Sequence, residues 1–330
     1  MVRLPPYVLI ALLAGGLAAP AQTDPCLGRV IPASVYTGSG DAVAGLTPEN
    51  FKASLGGKPV LVTAATYDSG PRSIVILIDA SGSMIESGKL AWGLKFARDL
   101  VSSASPQDSL ALLTFSDETE VAASLGQSRT DLLTAVDKLQ NRQWRRVKGI
   151  RRTALEDALV NALALLKTPR VGDAICLVTD GGENASRSSQ SKVEALLQSA
   201  GVRVCVFLPT WYGEDRGAAE QGAQFQSEMR DLTSATGGAL LPFVPGQIRG
   251  LARRVAGTPA MSASDDEDLR RAAQLFQRRI LSLIELDVTL PAPLAKPREW
   301  NLEVVDASGR RHKQLEVIYP HRLAPCGQPR

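Results

Sequence analysis

The chain has 330 residues, of which 44% are apolar and 22% charged, with a formal net charge of +3. That composition excludes a disordered chain and a membrane bundle. So small a charge gives no reason to invoke nucleic acid or anionic lipid as a partner, and the length suits one large domain, or one large and one small.

Arg3 precedes an apolar run, Tyr7–Leu17, and then Ala18-Ala19-Pro20-Ala21-Gln22. A positive start, a short apolar stretch and an A-x-A site read as a signal peptide over residues 1–21, cleaved after Ala21. The run is about half of the ~20 residues that cross a bilayer, so a membrane anchor is the weaker reading. A secreted or periplasmic protein is expected, with no transmembrane span in the mature chain. Export permits disulfides. Cys26 and Cys326 lie near the two mature ends, where a bridge would staple the termini. Cys176 and Cys205 lie in apolar strand-like runs and read as reduced core residues. Four cysteines allow three pairings, and the sequence does not choose among them.

Residues 22–71 read as a β-rich segment with turns at Gly38-Ser39-Gly40 and Gly56-Gly57. A short helix is expected at Thr47-Pro48-Glu49-Asn50, where a cap residue precedes proline. Ser73–Ile78 is then a continuous apolar run ending in Asp79. Alternation is absent, so both faces are expected to be buried, as in a parallel sheet. Helical periods over 89–104, 131–139, 153–166, 191–199, 225–235 and 244–255 alternate with strand-like runs at 110–115, 174–179 and 202–208. Gly237–Pro242 leads into a further short strand. Strand then helix, repeated, predicts an α/β fold: a doubly wound, mostly parallel sheet with helices on both faces, over residues 72–257.

Residues 258–284 read as a linker and a helix, the helix opened by a capping-box spacing at Ser264–Glu267. Residues 285–330 contain alternating runs at 285–290, 300–305 and 314–319, expected as an antiparallel meander. Packing of this meander with 22–71 would make a small β-rich domain and bring Cys26 close to Cys326.

The chemistry lies in Asp79-Ala80-Ser81-Gly82-Ser83, immediately after a buried strand. In an open α/β sheet, ligands sit at the carboxyl ends of the strands. Asp79 offers an anionic oxygen; Ser81 and Ser83 offer hydroxyls that a tight turn can aim at one point. Asp180 follows the strand Ala174–Thr179, and Thr153 stands just before a helix. Two carboxylates and three hydroxyls form a hard oxygen set suited to Mg2+, or to Mn2+ or Ca2+, and not to zinc or copper.

D-A-S-G-S, then Thr153-Ala154-Leu155, then Val178-Thr179-Asp180-Gly181, resemble the metal-ion-dependent adhesion site (MIDAS) of von Willebrand factor A (VWA) domains. Leu112–Ser116 and Thr236-Gly237-Gly238 are also similar to that family. The flank Gly45–Phe51, followed by Gly56–Pro59, resembles exported bacterial VWFA-related proteins. The resemblance implies that Asp79, Ser81, Ser83, Thr153 and Asp180 hold a cation whose open position accepts a Glu or Asp of a protein ligand. It implies a metal-dependent, adhesion-type protein-binding module and not an enzyme. Family members often have glycine before this threonine; Arg152 stands here.

The segment before Thr153 is basic, with Trp144, Arg145, Arg146, Arg151 and Arg152 and no acid. One reading is a rim that meets an acidic patch on the partner, with Trp144 as an anchor. The other is a solvated loop; the sequence leaves both open. Tyr212–Gln224 is expected to form another loop on the rim. A Ser-His-Asp hydrolase is disfavoured, since His312 and His321 both lie in the C-terminal segment. Phosphate-binding glycine motifs are absent. A structural or assembly role in a cell-envelope complex, with an incidental metal, is the alternative.

Overall fold

The computed structural model describes residues 26–144, 152–210, 216–243 and 263–326. The signal segment, the helix expected over 244–255 and the first part of the linker lie outside them.

In chain order the strands and helices are β1 (Gly28–Thr37), β2 (Phe51–Leu55), β3 (Lys58–Asp68), β4 (Ser73–Asp79), α1 (Gly82–Glu86), α2 (Lys89–Ser103), β5 (Ser109–Phe115), β6 (Thr119–Ala123), α3 (Arg129–Gln140) and α4 (Leu155–Leu165). Then come β7 (Ala174–Val178), α5 (Gln190–Ala200), β8 (Arg203–Pro209), α6 (Arg216–Thr236), β9 (Leu240–Phe243), α7 (Ala263–Leu281), β10 (Leu283–Thr289), β11 (Arg298–Val304), β12 (Leu315–Ile318) and β13 (Arg322–Leu323). A single 3-10 turn, Pro48–Asn50, follows Thr47, which caps it as its sequence predicts.

One sheet has the order β6-β5-β4-β7-β8-β9. All its pairs are parallel except β5 with the edge strand β6. Ile74 through Ile78 of β4 are wholly buried. Ile74, Ile76 and Ile78 meet apolar residues of α2, α3 and α7; Val75 and Leu77 meet those of α4, α5 and α6. Helices on both faces explain why this strand shows no alternation. Gly93 lets α2 settle onto the sheet, because a Cβ there would stand 2.6 Å from Val178 Cγ1. The chain leaves β4 towards β5 and later returns to β7 on the other side. The carboxyl ends of β4 and β7 therefore flank the crevice where ligands bind in such sheets.

The second sheet is antiparallel, in the order β12-β1-β10-β3-β2-β11-β13. It forms a separate, smaller β-rich unit from the two ends of the chain. The expected meander does not form. β10 lies between β1 and β3, while β11 pairs with β2. The Asp306–Arg310 turn does close, with Asp306 N–H donating to Arg310 O at 2.9 Å. Alternation identifies a half-buried strand, but the N-terminal strands carry the same pattern and intercalate. Cys26 and Cys326 are disulfide-bonded, with Cα atoms 5.3 Å apart and a sequence separation of 300.

Two helices differ from expectation. α6 begins at Arg216, within the expected loop 212–224, where Ala218-Ala219-Glu220-Gln221 are strong helix formers. α7 is no free linker helix. Its Leu269, Ala273, Phe276 and Ile280 are buried in the α/β core, with Phe276 edge-on to Phe96 at 5.4 Å. It starts at Ala263, so Ser264 falls inside it. No helix of the described residues is long and apolar enough to cross a membrane.

Candidate metal centre

β4 delivers Asp79 to the sheet edge, and Ala80 N–H donates to Phe115 O of β5 at 2.7 Å, fixing the exit of the strand. Asp79 Oδ1 accepts Ser81 N–H at 2.8 Å, a turn that aspartate readily makes. Ser81 then caps α1, and its Oγ lies 3.2 Å from Ser83 Oγ. Ser83 Oγ donates to Asp180 Oδ1 at 3.1 Å across the crevice. Thus Asp79, Ser81, Ser83 and Asp180 form one continuous set of contacts. Thr153 is buried and bound to the same loop: its N–H donates to Asn184 Oδ1 at 2.9 Å, and its carbonyl accepts Asn184 N–H at 3.1 Å.

These oxygens suit a hard divalent cation. Mg–O bonds of about 2.1 Å in an octahedron place adjacent oxygens about 3 Å apart. The Ser81–Ser83 and Ser83–Asp180 separations, 3.2 and 3.1 Å, are of that size. Among the described residues no group of three or more His, Cys, Asp or Glu is placed to hold a metal. A cation here would rest on two carboxylates, with hydroxyls completing its shell. Asp79 is wholly buried. Burial first, and the Asp180 charge second, raise its pKa, against hydrogen bonds from Ser81 and Thr179 that lower it. A cation between the two carboxylates would relieve both penalties.

Three supports escaped the sequence reading. Thr179 donates its hydroxyl to Asp79 Oδ2 at 2.6 Å and accepts Gly181 N–H at 3.1 Å. Lys89, the first residue of α2, lies 2.9 Å from Asp180 Oδ2. Gly181, at φ +90°, lets Phe225 of α6 lie against the loop; a Cβ there would stand 2.4 Å from Phe225 Cβ. A donor type beside a known ligand would have found Thr179. Lys89 and Phe225 carry no local signal.

Of the residues expected to form a basic rim, Trp144 is half-buried against the α2–α3 side of the core. Its ring N–H donates to Leu139 O at 3.1 Å, and the Arg142 guanidinium lies 4.6 Å from its centroid. Arg152 is exposed. Arg145, Arg146 and Arg151 lie outside the described residues.

The sequence profile of the von Willebrand factor type A domain matches residues 73–237. No match was found among curated proteins. Three solved structures are similar in fold. Proximal thread matrix protein 1 from the mussel byssus is 19% identical, with 68% of this chain and 50% of that chain covered, at a TM-score of 0.46. BatB from Bacteroides thetaiotaomicron is 14% identical over 62% of this chain and 97% of that chain, at 0.41. A von Willebrand factor type A protein from Catenulispora acidiphila is 14% identical over 92% of this chain and 75% of that one, at 0.43. The chain spans half the length of the mussel protein. The profile covers half of the sequence, and the chain belongs to the von Willebrand factor type A domain family, whose members are typically metal-dependent protein-interaction modules.

Proposed function

We propose that this chain is an exported protein-binding module, non-catalytic, that captures a partner carboxylate through a cation held by Asp79, Ser81, Ser83, Thr153 and Asp180. The observation that carries the reading is the contact from β4 to the loop after β7: Ser83 Oγ at 3.1 Å from Asp180 Oδ1, beside a wholly buried Asp79. Asp79 is pinned on both oxygens, and Asn184 ties the Thr153 backbone to the same loop. The protein thus orders its donors beforehand, which lowers the cost of binding. A bound Mg2+, Mn2+ or Ca2+ would supply an electropositive coordination position for a Glu or Asp of the ligand. Trp144, Arg145, Arg146, Arg151 and Arg152 would form a basic rim around it, suited to an acidic partner surface.

The test has two stages. Mn2+ titration followed by electron paramagnetic resonance should show one bound ion in the native chain and none in Asp79→Ala. A pull-down from the native envelope fraction, with and without chelator, should then retain a partner only when the cation is present. Capture that ignores both chelator and Asp79→Ala would leave a structural role in an envelope assembly as the better account. Neutralising Arg145 and Arg146 should slow association at low salt and leave Mn2+ binding intact.

A further inference from the structure

A cavity of about 260 Å³ opens beside the cation site, lined by Leu155, Glu156, Glu183, Ser186, Glu228 and Met229 among others. It adjoins the site through α4, which follows Thr153, and through the loop that follows Asp180. Glu156 is 8% exposed, and its Oε2 has no hydrogen-bond partner among the described residues. An ionised carboxylate so placed is strongly disfavoured without a counter-charge.

The neighbouring acids are provided for. Glu183 accepts the N–H groups of Ala185 and Ser186, both at 2.7 Å, and the Ser186 hydroxyl at 2.6 Å. Burial raises its pKa, but these bonds outweigh it and hold the carboxyl below its ordinary value. Glu228 accepts the Gln224 amide at 2.9 Å. Glu194 accepts the Gln190 amide at 2.9 Å and has Arg322 at 3.9 Å. Among the described acids that line the cavity, only Glu156 has a buried carboxylate oxygen without a partner.

The acids are not clustered closely enough for a bare metal ion. A group with several N–H donors, reaching carboxylates about 3 Å away in different directions, spans them better. Leu155, Met229 and Leu232 give an apolar wall along which an aliphatic stem can lie. We propose that this cavity receives the guanidinium or ammonium head of an arginine or lysine side chain on the docking protein, next to the carboxylate that meets the cation. The partner's identity as a protein rests on the function proposed above; the cavity's preference for such a group does not. Burial first, and then the charges of Glu183, Glu194, Asp157 and Glu228, push the Glu156 carboxyl up to about 7. Uptake of the cationic head near neutral pH therefore displaces a proton from Glu156 into the buffer.

The test uses n-propylguanidinium, an arginine side chain without its backbone, titrated calorimetrically into the full chain at pH 7 with chelator present. Saturable binding with a Kd on the order of 1 mM is expected. Its enthalpy should differ between phosphate and Tris, reporting the released proton. Glu156→Gln should weaken it about tenfold or more, while Asp79→Ala should not change it. n-Propylurea, the uncharged counterpart, should not bind. Should Glu156→Gln not fold, Glu228→Gln serves as the second variant, with an expected loss of about threefold. Absence of propylguanidinium binding, equal binding of the uncharged analogue, or an unchanged Kd in the variant examined overturns the proposal. Propylguanidinium binding that persists while chelator-sensitive capture fails would overturn the adhesion reading alone.

Discussion

Lys89 Nζ lies 2.9 Å from Asp180 Oδ2, on the carboxylate whose other oxygen accepts the Ser83 hydroxyl. The lysine side chain is 16% exposed, so its charge is only partly screened. An ammonium at this position neutralises part of the field that attracts a divalent cation. Lys89→Met is expected to tighten Mn2+ binding about tenfold, or ~1.4 kcal/mol. It should also lower the melting temperature of the cation-free protein, because Asp180 then faces Asp79 without a counter-charge. Weaker Mn2+ binding would show instead that Lys89 serves to orient Asp180.

Glu156 makes a separate, pH-dependent contribution to stability. Its carboxyl rises from 4.5 to about 7 on folding. The folded chain then holds more protons than the unfolded chain between those values, so this group's contribution falls as pH rises through the window. Glu156→Gln removes that dependence. The variant should exceed the native chain at pH 8 by on the order of 1–2 kcal/mol, allowing for solvent screening in an open cavity. The difference should vanish near pH 4. Parallel curves of melting temperature against pH would count against the assignment.

The sheet that carries the cation site was legible because burial on both faces erases alternation. Ser73–Ile78 and Ala174–Cys176-Leu177-Val178 each announce a central parallel strand. Asp79 and Asp180 were legible because each ends such a strand, where topology expects a ligand. Pairing in the second sheet was not legible. Ile31 opposite Leu286 and Trp300 opposite Leu55 join segments more than 240 residues apart, and no local pattern encodes such a choice. The place of α7 was hidden for a similar reason: Leu269, Ala273 and Phe276 give its apolar stripe, but only packing on α2 says where the stripe goes. Glu156 carries no signal at all, since a glutamate in the first turn of a helix is ordinary.

The Cys26–Cys326 bridge closes nearly the whole described chain. A cross-link over so long a loop restricts the unfolded state strongly, and about 2–5 kcal/mol is expected from it. Cys26→Ser with Cys326→Ser should therefore lower the melting temperature by several degrees without changing Mn2+ affinity, since both cysteines belong to the second sheet's end of the molecule. Cys176 and Cys205 are buried on adjacent parallel strands, and burial raises both thiols. They should resist alkylation in the native protein and react after unfolding. Rapid labelling of either in the native chain would contradict their placement.

Arg203 ties the two sheets together through α7. It is 1% exposed at the start of β8, and its guanidinium donates to the carbonyls of Gly172, Arg279 and Ile280. The latter two belong to the last turn of α7, where carbonyls have no partner within the helix. A cation there also complements the helix dipole. Tyr36 of β1 donates its hydroxyl to the same Arg279 carbonyl at 3.1 Å, so the helix end is held from both sheets. Arg203→Met keeps the volume and removes the donors. Each orphaned buried carbonyl costs about 1–3 kcal/mol, partly offset because a charge is no longer buried, so a net loss of about 2–4 kcal/mol is expected. Hydrogen exchange separates a local from a global effect. Amides of α7 should lose protection in the variant while those of β4, at the centre of the parallel sheet, keep theirs. Equal loss in both would mean that α7 does not open separately from the sheet, and that Arg203 supports the α/β layer as a whole.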